Sequence, residues 1–160
     1  MRLPDFSYDI HSGPFENPEK LKDVVKGNCR LAVQVYFYLA HGIWLTPSQV
    51  LCPELYHSTG VFVFKDEPID FLSFRKGDIV FSERVHNKKG KNIQKTKDSF
   101  LSEDDWIISL HTSIVISIGA RREDCRFWHA TAVSGSTCEW SVDKFEFYYR
   151  PVAVKRIELV

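Results

Sequence analysis

Hydrophobic residues follow two rhythms along this chain, and the change near residue 60 separates helices from strands. Residues 1–17 carry no regular pattern, with Pro4, Gly13 and Pro14 as breakers. Asn17-Pro18-Glu19 reads as an N-cap, a first-turn proline and a first-turn acid, and predicts a short helix that stops at Gly27. Asn28 is the next N-cap. Behind it an almost wholly apolar run, from Cys29 through Ala40, continues until His41-Gly42 ends it. Its apolar residues occupy nearly every face, which predicts a buried central helix rather than a surface one. Thr46-Pro47-Ser48-Gln49 repeats the cap-plus-proline signature and predicts a third short helix ending near Tyr56.

From Val61 the pattern turns strand-like. Val61-Phe62-Val63-Phe64 predicts one strand, and Ile79-Val80-Phe81 another after the turn Arg75-Lys76-Gly77-Asp78. Two more are expected over residues 111–118 and 126–133, joined by the polar turn Gly119 to Cys125 as a hairpin. The tail, Glu146 to Arg150 and then Val152 to Ile157, reads as one or two closing strands interrupted by Pro151. Helices first and strands afterwards predict a single α+β domain over residues 1–160, with N-terminal helices packed on an antiparallel sheet. Residues 82–106 fit neither rhythm. They hold Arg84, Lys88, Lys89, Lys91, Lys95 and Lys97, then Glu103, Asp104 and Asp105. A connection this long without periodicity marks a functional loop, here a candidate lid. The plainer alternative is a solvated loop whose acids offset its bases.

Composition narrows the classes. A chain of 160 residues, 44% hydrophobic, can bury one real core. Its 21 basic and 21 acidic residues cancel, so it has no general attraction to nucleic acid or an anionic membrane. No apolar stretch approaches a membrane span. The start, Met1-Arg2-Leu3-Pro4-Asp5-Phe6, has no hydrophobic signal core, so the chain as written is expected in the cytoplasm, with export by another route left open. Cys29, Cys52, Cys125 and Cys138 are too scattered for a disulfide framework and fit free thiols in a reducing compartment.

The candidate chemistry centres on Cys29. A thiol in the first turn of a helix meets unpaired N–H groups and the positive end of the helix dipole, which favour the nucleophilic thiolate. His111 opens one predicted strand and His129 lies inside the next, between Trp128 and Ala130. Nucleophile on a helix start, base on a strand and orienting group on a further strand is the logic of a Cys–His hydrolase. In that scheme Cys29 attacks, His111 takes its proton, and His129 holds the His111 ring. If Cys29 and His111 touch, a thiolate–imidazolium pair is expected. Each residue alone has a plainer reading: a small core cysteine, a core histidine, the first residue of a strand. The combination is what points to a site. Trp106 is a candidate cleft wall near His111. Cys125, His129 and Cys138 lack a second close ligand pair, so no metal is expected, and the scheme needs no organic cofactor.

The order of these motifs resembles the NlpC-type cysteine peptidases, papain-like bacterial endopeptidases most of which cut peptide stems of the cell wall. The resemblance rests on the Cys29 helix, the turn and strand Gly77-Asp78-Ile79-Val80-Phe81, His111 leading a strand, and His129-Ala130 on the next. It runs from about residue 27 to the C-terminus. It implies a papain-like fold and cleavage of an amide bond in a small, cell-wall-derived peptide. The family's Asp-Cys-Ser-Gly is here Asn28-Cys29-Arg30-Leu31, and its common His-Val-Gly is His111-Thr112-Ser113. In the family, the acid before the cysteine and the small residue after it help receive the free amine of the stem peptide. Asn28 brings no charge to that task, and Arg30 would repel an amine it faced. The family's tyrosine shortly before the nucleophile has no match at that spacing; the nearest upstream is Tyr8. The alternatives are an acyltransferase or deamidase using the same Cys–His site, an inactive papain-like binding module, and an interaction domain that docks a partner through the basic loop.

Overall fold

The computed structural model describes residues 2–51, 60–64 and 74–157. Among them, eight strands form one mixed sheet with four α-helices around it, an α+β architecture. The strands are β1 (Ser7–Tyr8), β2 (Lys26–Gly27), β3 (Gly60–Phe64), β4 (Ile79–Arg84), β5 (His111–Ser117), β6 (Arg126–Thr131), β7 (Ser136–Ser141) and β8 (Tyr149–Ile157). Their order across the sheet is β2-β1-β7-β6-β5-β4-β8-β3. All neighbours are antiparallel except β1 and β2, which run parallel. No helix among the described residues is long and apolar enough to cross a membrane.

The central helix, α1 (Cys29–His41), forms where its caps predict. Asn28 Oδ1 accepts from the Leu31 N–H, and Gly42 closes the far end with φ of 68°, a left-handed conformation that glycine adopts without strain. Residues 31–37 are all buried, while Tyr38 and Leu39 emerge on the surface. Gly27, just before it, sits where a Cβ would come within 2.5 Å of Leu31 and 2.8 Å of Phe6, so β2 can pass this close to the helix only without a side chain.

Elsewhere local signals mislead. Asn17 does cap, but the segment behind it is a 3-10 turn over Pro18–Asp23, and Lys26–Gly27 leave it to pair with β1. The third helix is α2 (Pro47–Leu51), and its expected end near Tyr56 lies outside the described residues. Residues 146–148 belong not to a strand but to α4 (Val142–Tyr148), because Ser141 caps from Oγ to the Lys144 N–H and Val142 and Phe145 recur at helical spacing on the buried side. Pro151 does not interrupt β8: it pairs with Ser82 where the β4–β8 register shifts, a bulge that tolerates a residue without an N–H. The 82–106 segment is not one loop. Its start completes β4, and Ser102 caps α3 (Glu103–Ser109), leaving 85–102 as the connection.

The two faces of the sheet bury separate cores. Leu31, Ala32, Val35 and Phe37 of α1 pack with Ile79, Phe81, Ile114, Trp128 and Ala130. On the other face Val80, Val115, Phe127 and Val154 meet Phe145 of α4. Burying such side chains stabilises each face by roughly 1.5–3 kcal/mol per large residue. His111, four positions before Val115, and His129, two after Phe127, share the α4 face by strand alternation.

Candidate active site

The strand registers gather the chemistry-bearing residues at one end of the sheet. Ser82 pairs with His111, Arg84 with Tyr149, and Tyr8 with Gly27, two residues before Cys29. A flat sheet would still hold β1 and β4 about 19 Å apart, four strand spacings. Yet Tyr8 and Arg84 line one cavity and interact electrostatically. The sheet therefore curls, and the curl closes its edge strand onto the middle of the sheet at the level of the N-terminus of α1.

A cavity of about 320 Å³ opens at this place, with Cys29 in its wall beside Tyr8, Arg30, Arg84, Lys95 and Phe100. Cys29 is 5% exposed and lines this cavity. Asn28 holds the entrance of α1 in place. Besides capping, its Nδ2 donates to Gly13 O at 2.6 Å and Ile10 O at 3.3 Å, tying the N-terminal segment to the helix start. That explains an amide here in place of an acid: a carboxylate could cap but could not donate. The Cys29 N–H, in the first turn, has no acceptor among the described residues.

The two predicted histidines meet. His111 Nε2 lies 2.6 Å from His129 Nδ1, both rings fully buried. Tyr149 stacks face to face on His111 with centroids 4.0 Å apart, and Tyr149 in turn bonds through its hydroxyl to Thr131. His129 Nε2 has no hydrogen-bond partner among the described residues, but its ring meets Trp140 at 80° with centroids 4.5 Å apart. An aromatic face accepts an N–H and repels a lone pair. The tautomer that suits this cage carries the His129 proton on Nε2 and the His111 proton on Nε2, leaving the His111 Nδ1 lone pair free as a base.

Cys29 is brought to the same neighbourhood but not into contact. It makes no side-chain hydrogen bond among the described residues, to His111 or to any other group. The two share neighbours instead. Arg84 and Arg30 line the Cys29 cavity and act electrostatically on His111, while Tyr149, stacked on His111, feels the Cys29 charge. Burial, then His129 and the two guanidinium groups, hold the His111 pKa well below the ordinary imidazole value. Burial pulls His129 down to about 3. Both rings are therefore neutral at pH 7. The expected thiolate–imidazolium pair gives way to a neutral base in a positive field, because the cations that oppose an imidazolium favour any anion nearby.

Two site residues carried no readable signal. Tyr8 sits far upstream in sequence, and only its pairing with Gly27 and the curl bring it to the cavity. Arg84 looked like one of several loop cations, but it ends β4 opposite Tyr149. Conversely, Trp106 does not line the cavity. It is buried, its Nε1 donating to Glu83 at 2.9 Å, and Ile108 and Leu110 take the place foreseen for it. Cys125 and Cys138 stand apart from the cavity; burial pushes the Cys125 thiol up to about 11 and raises that of Cys138. No protein-family model matches this chain, and no curated protein matches it either.

Proposed function

We propose that this protein is a papain-like cysteine hydrolase of NlpC type, acting on an amide bond in a small peptide through a thioester on Cys29. The observation that carries the reading is the His111–His129 pair, which leaves one imidazole nitrogen of His111 free at the end of the sheet where Cys29 lines a cavity. The Cys29 proton passes to His111 Nδ1 as the sulfur bonds the substrate carbonyl carbon. The oxyanion that forms faces the unpaired N–H of Cys29 and the field of Arg30 and Arg84. His111 returns the proton to the leaving nitrogen, the C–N bond breaks, and the acyl group stays on sulfur. Water, deprotonated by His111, then cleaves the thioester to a carboxylic acid and restores the thiol. His129 keeps the imidazole in the required tautomer throughout. Another amine in place of water would make the same site an acyltransferase, and a side-chain amide as substrate would make it a deamidase.

The test is the pH dependence of Cys29 alkylation, read residue by residue by mass spectrometry, in the wild type and in His111→Ala. Labelling that is fast well below the free-thiol pKa of about 8.5 and is lost in the variant supports a Cys–His pair. Slow labelling, identical in both, refutes it and leaves a binding module.

A further inference from the structure

The cavity beside Cys29 has a charge composition that the chain as a whole does not. Three cationic side chains line it, Arg30, Arg84 and Lys95, and no carboxylate does. Among the described residues none of the three has an ion-pair partner. Other arginines that pack against the fold are matched: Arg122 pairs with Asp143 and Glu146, Arg126 with Glu139, Arg150 with Glu83 and Arg156 with Asp78. In a chain of zero net charge, unpaired cations converging on one cavity concentrate positive potential there, and a concave wall focuses it. Arg30 is fixed by donating from Nη2 to Ile108 O at 2.5 Å, and Arg84 ends β4 opposite Tyr149, so these charges are held at the wall. Apolar side chains line the cavity as well: Ile10 and Ile108, 61% and 56% exposed, and Phe100.

We propose that this cavity takes an anionic acyl substrate, with a carboxylate or phosphate seated against Arg30, Arg84 and Lys95 and an apolar flank lying on Ile10, Phe100 and Ile108. The inference rests on the reading of Cys29 as the acyl acceptor. It reverses the charge preference of a site built for a free amine. A cationic substrate would meet three like charges, and a neutral one would leave them without a counter-charge.

The experiment separates the two ideas. Calorimetric binding of N-octanoylglycine, N-octanoylglycinamide and octyl phosphate to the full chain reads the cavity whether or not Cys29 reacts. Iodoacetamide labelling of Cys29 in the same preparations reads the nucleophile. The anionic ligands should bind about tenfold tighter than the amide at low salt, and the preference should shrink at least about threefold in Lys95→Gln and in high salt. Arg84→Gln should erode it further; Lys95, exposed on the 85–102 connection, is the substitution that leaves folding untouched. Octyl phosphate binding tighter than N-octanoylglycine would identify the anion as phosphate, and the reverse order as carboxylate. Equal binding of amide and anions, no binding of any, or a preference indifferent to both substitutions overturns the proposal. Loss of Cys29 labelling with the anion preference intact would instead overturn the hydrolase and keep the anion cavity.

Discussion

Two clusters of buried polar groups lie in this sheet, and they are finished differently. At one, Asp78 is fully buried and Arg156 donates to both of its oxygens, from Nε and Nη2, at 2.8 Å each, while the Arg75 N–H adds a third bond at 2.8 Å. At the other, His111 and His129 share one bond, and His129 Nε2 and the hydroxyls of Ser82 and Thr112 are buried without partners among the described residues. The first cluster is saturated and closes the turn that launches β4. The second keeps unspent hydrogen-bonding capacity beside Tyr149 and Arg84, where β4 and β8 meet. Saturated polar groups fix a fold, whereas unsaturated buried ones cost stability and persist where chemistry uses them.

The largest effect expected from breaking this contrast is on reactivity. Cys29→Ala should abolish turnover on any amide that the protein cleaves, and His111→Ala should slow it by about a thousandfold, within the range for losing a positioned general base. His129→Ala should slow it less, by about tenfold to a hundredfold, and shift the pH profile of Cys29 alkylation, which a purely structural role would leave in place. Equal rates in the wild type and His111→Ala would assign the histidine pair to the core and dissolve the comparison.

How much of this was legible in the chain depends on how local the signal was. Helix α1 announced itself at both ends, through Asn28 and Gly42, because caps are decided within four residues. His111 and His129 were readable as neighbours because a short hairpin joins their strands. By contrast, β1 and β2 are two residues each and exist only because β7 and the curl present a partner, so no window of sequence could show them. Strand β7 escaped because its buried positions, Thr137 and Trp140, do not alternate strictly. The end of helix α4, residues 146–148, reads as strand because Phe147 and Tyr148 have β propensity that the Ser141 cap and helical spacing override. Helix α3 did carry a signal, Ser102 followed by Glu103, Asp104 and Asp105, hidden within a run read as loop.

The saturated cluster gives the next effect in size. Arg156→Leu would leave the Asp78 carboxylate buried with only the Arg75 N–H, and breaking such a pair costs about 3–5 kcal/mol. Urea unfolding should show the loss as a lower midpoint, while Cys29 labelling in the folded variant stays unchanged. A cost below about 1 kcal/mol would mean that Asp78 is not held by charge, and saturation would no longer distinguish the two clusters.

Acid should expose the histidine cluster selectively. Both rings have folded pKa values below the unfolded value of 6.5, His129 at about 3, because burial disfavours the charged form. Below pH 6.5 the unfolded chain binds two protons that the folded chain does not, so stability rises with pH in this window and falls as pH drops from 6.5 toward 3. His129 should contribute a slope of about 1.4 kcal/mol per pH unit once the unfolded state is protonated, or about 2 kcal/mol between pH 7 and pH 5, and His111 a slope of the same sign. Unfolding free energies measured across that range should show it, and replacing His129 by Phe should remove the His129 share. A flat profile would mean that the histidines titrate in the folded protein, as exposed groups do.

Asn28→Asp is the smallest change and the sharpest, since it replaces one nitrogen by oxygen and places an acid directly before Cys29. The cap survives, because a carboxylate accepts from the Leu31 N–H as the amide does. The two donations to Gly13 O and Ile10 O are lost, and an anion then faces two carbonyl oxygens in a buried site. Leaving such groups unmatched costs about 1–3 kcal/mol, offset in part by about 0.3–1 kcal/mol from the helix dipole, so a net loss of about 1–2 kcal/mol is expected in urea unfolding. The carboxylate would also sit beside Cys29 and offset part of the field from Arg30 and Arg84, so Cys29 alkylation at pH 6.5 should slow along with the loss of stability. A variant as stable as the wild type would mean that the N-terminal segment is anchored elsewhere. One equally stable but slower to label would place Asn28 with the reacting groups and not with the scaffold that positions them.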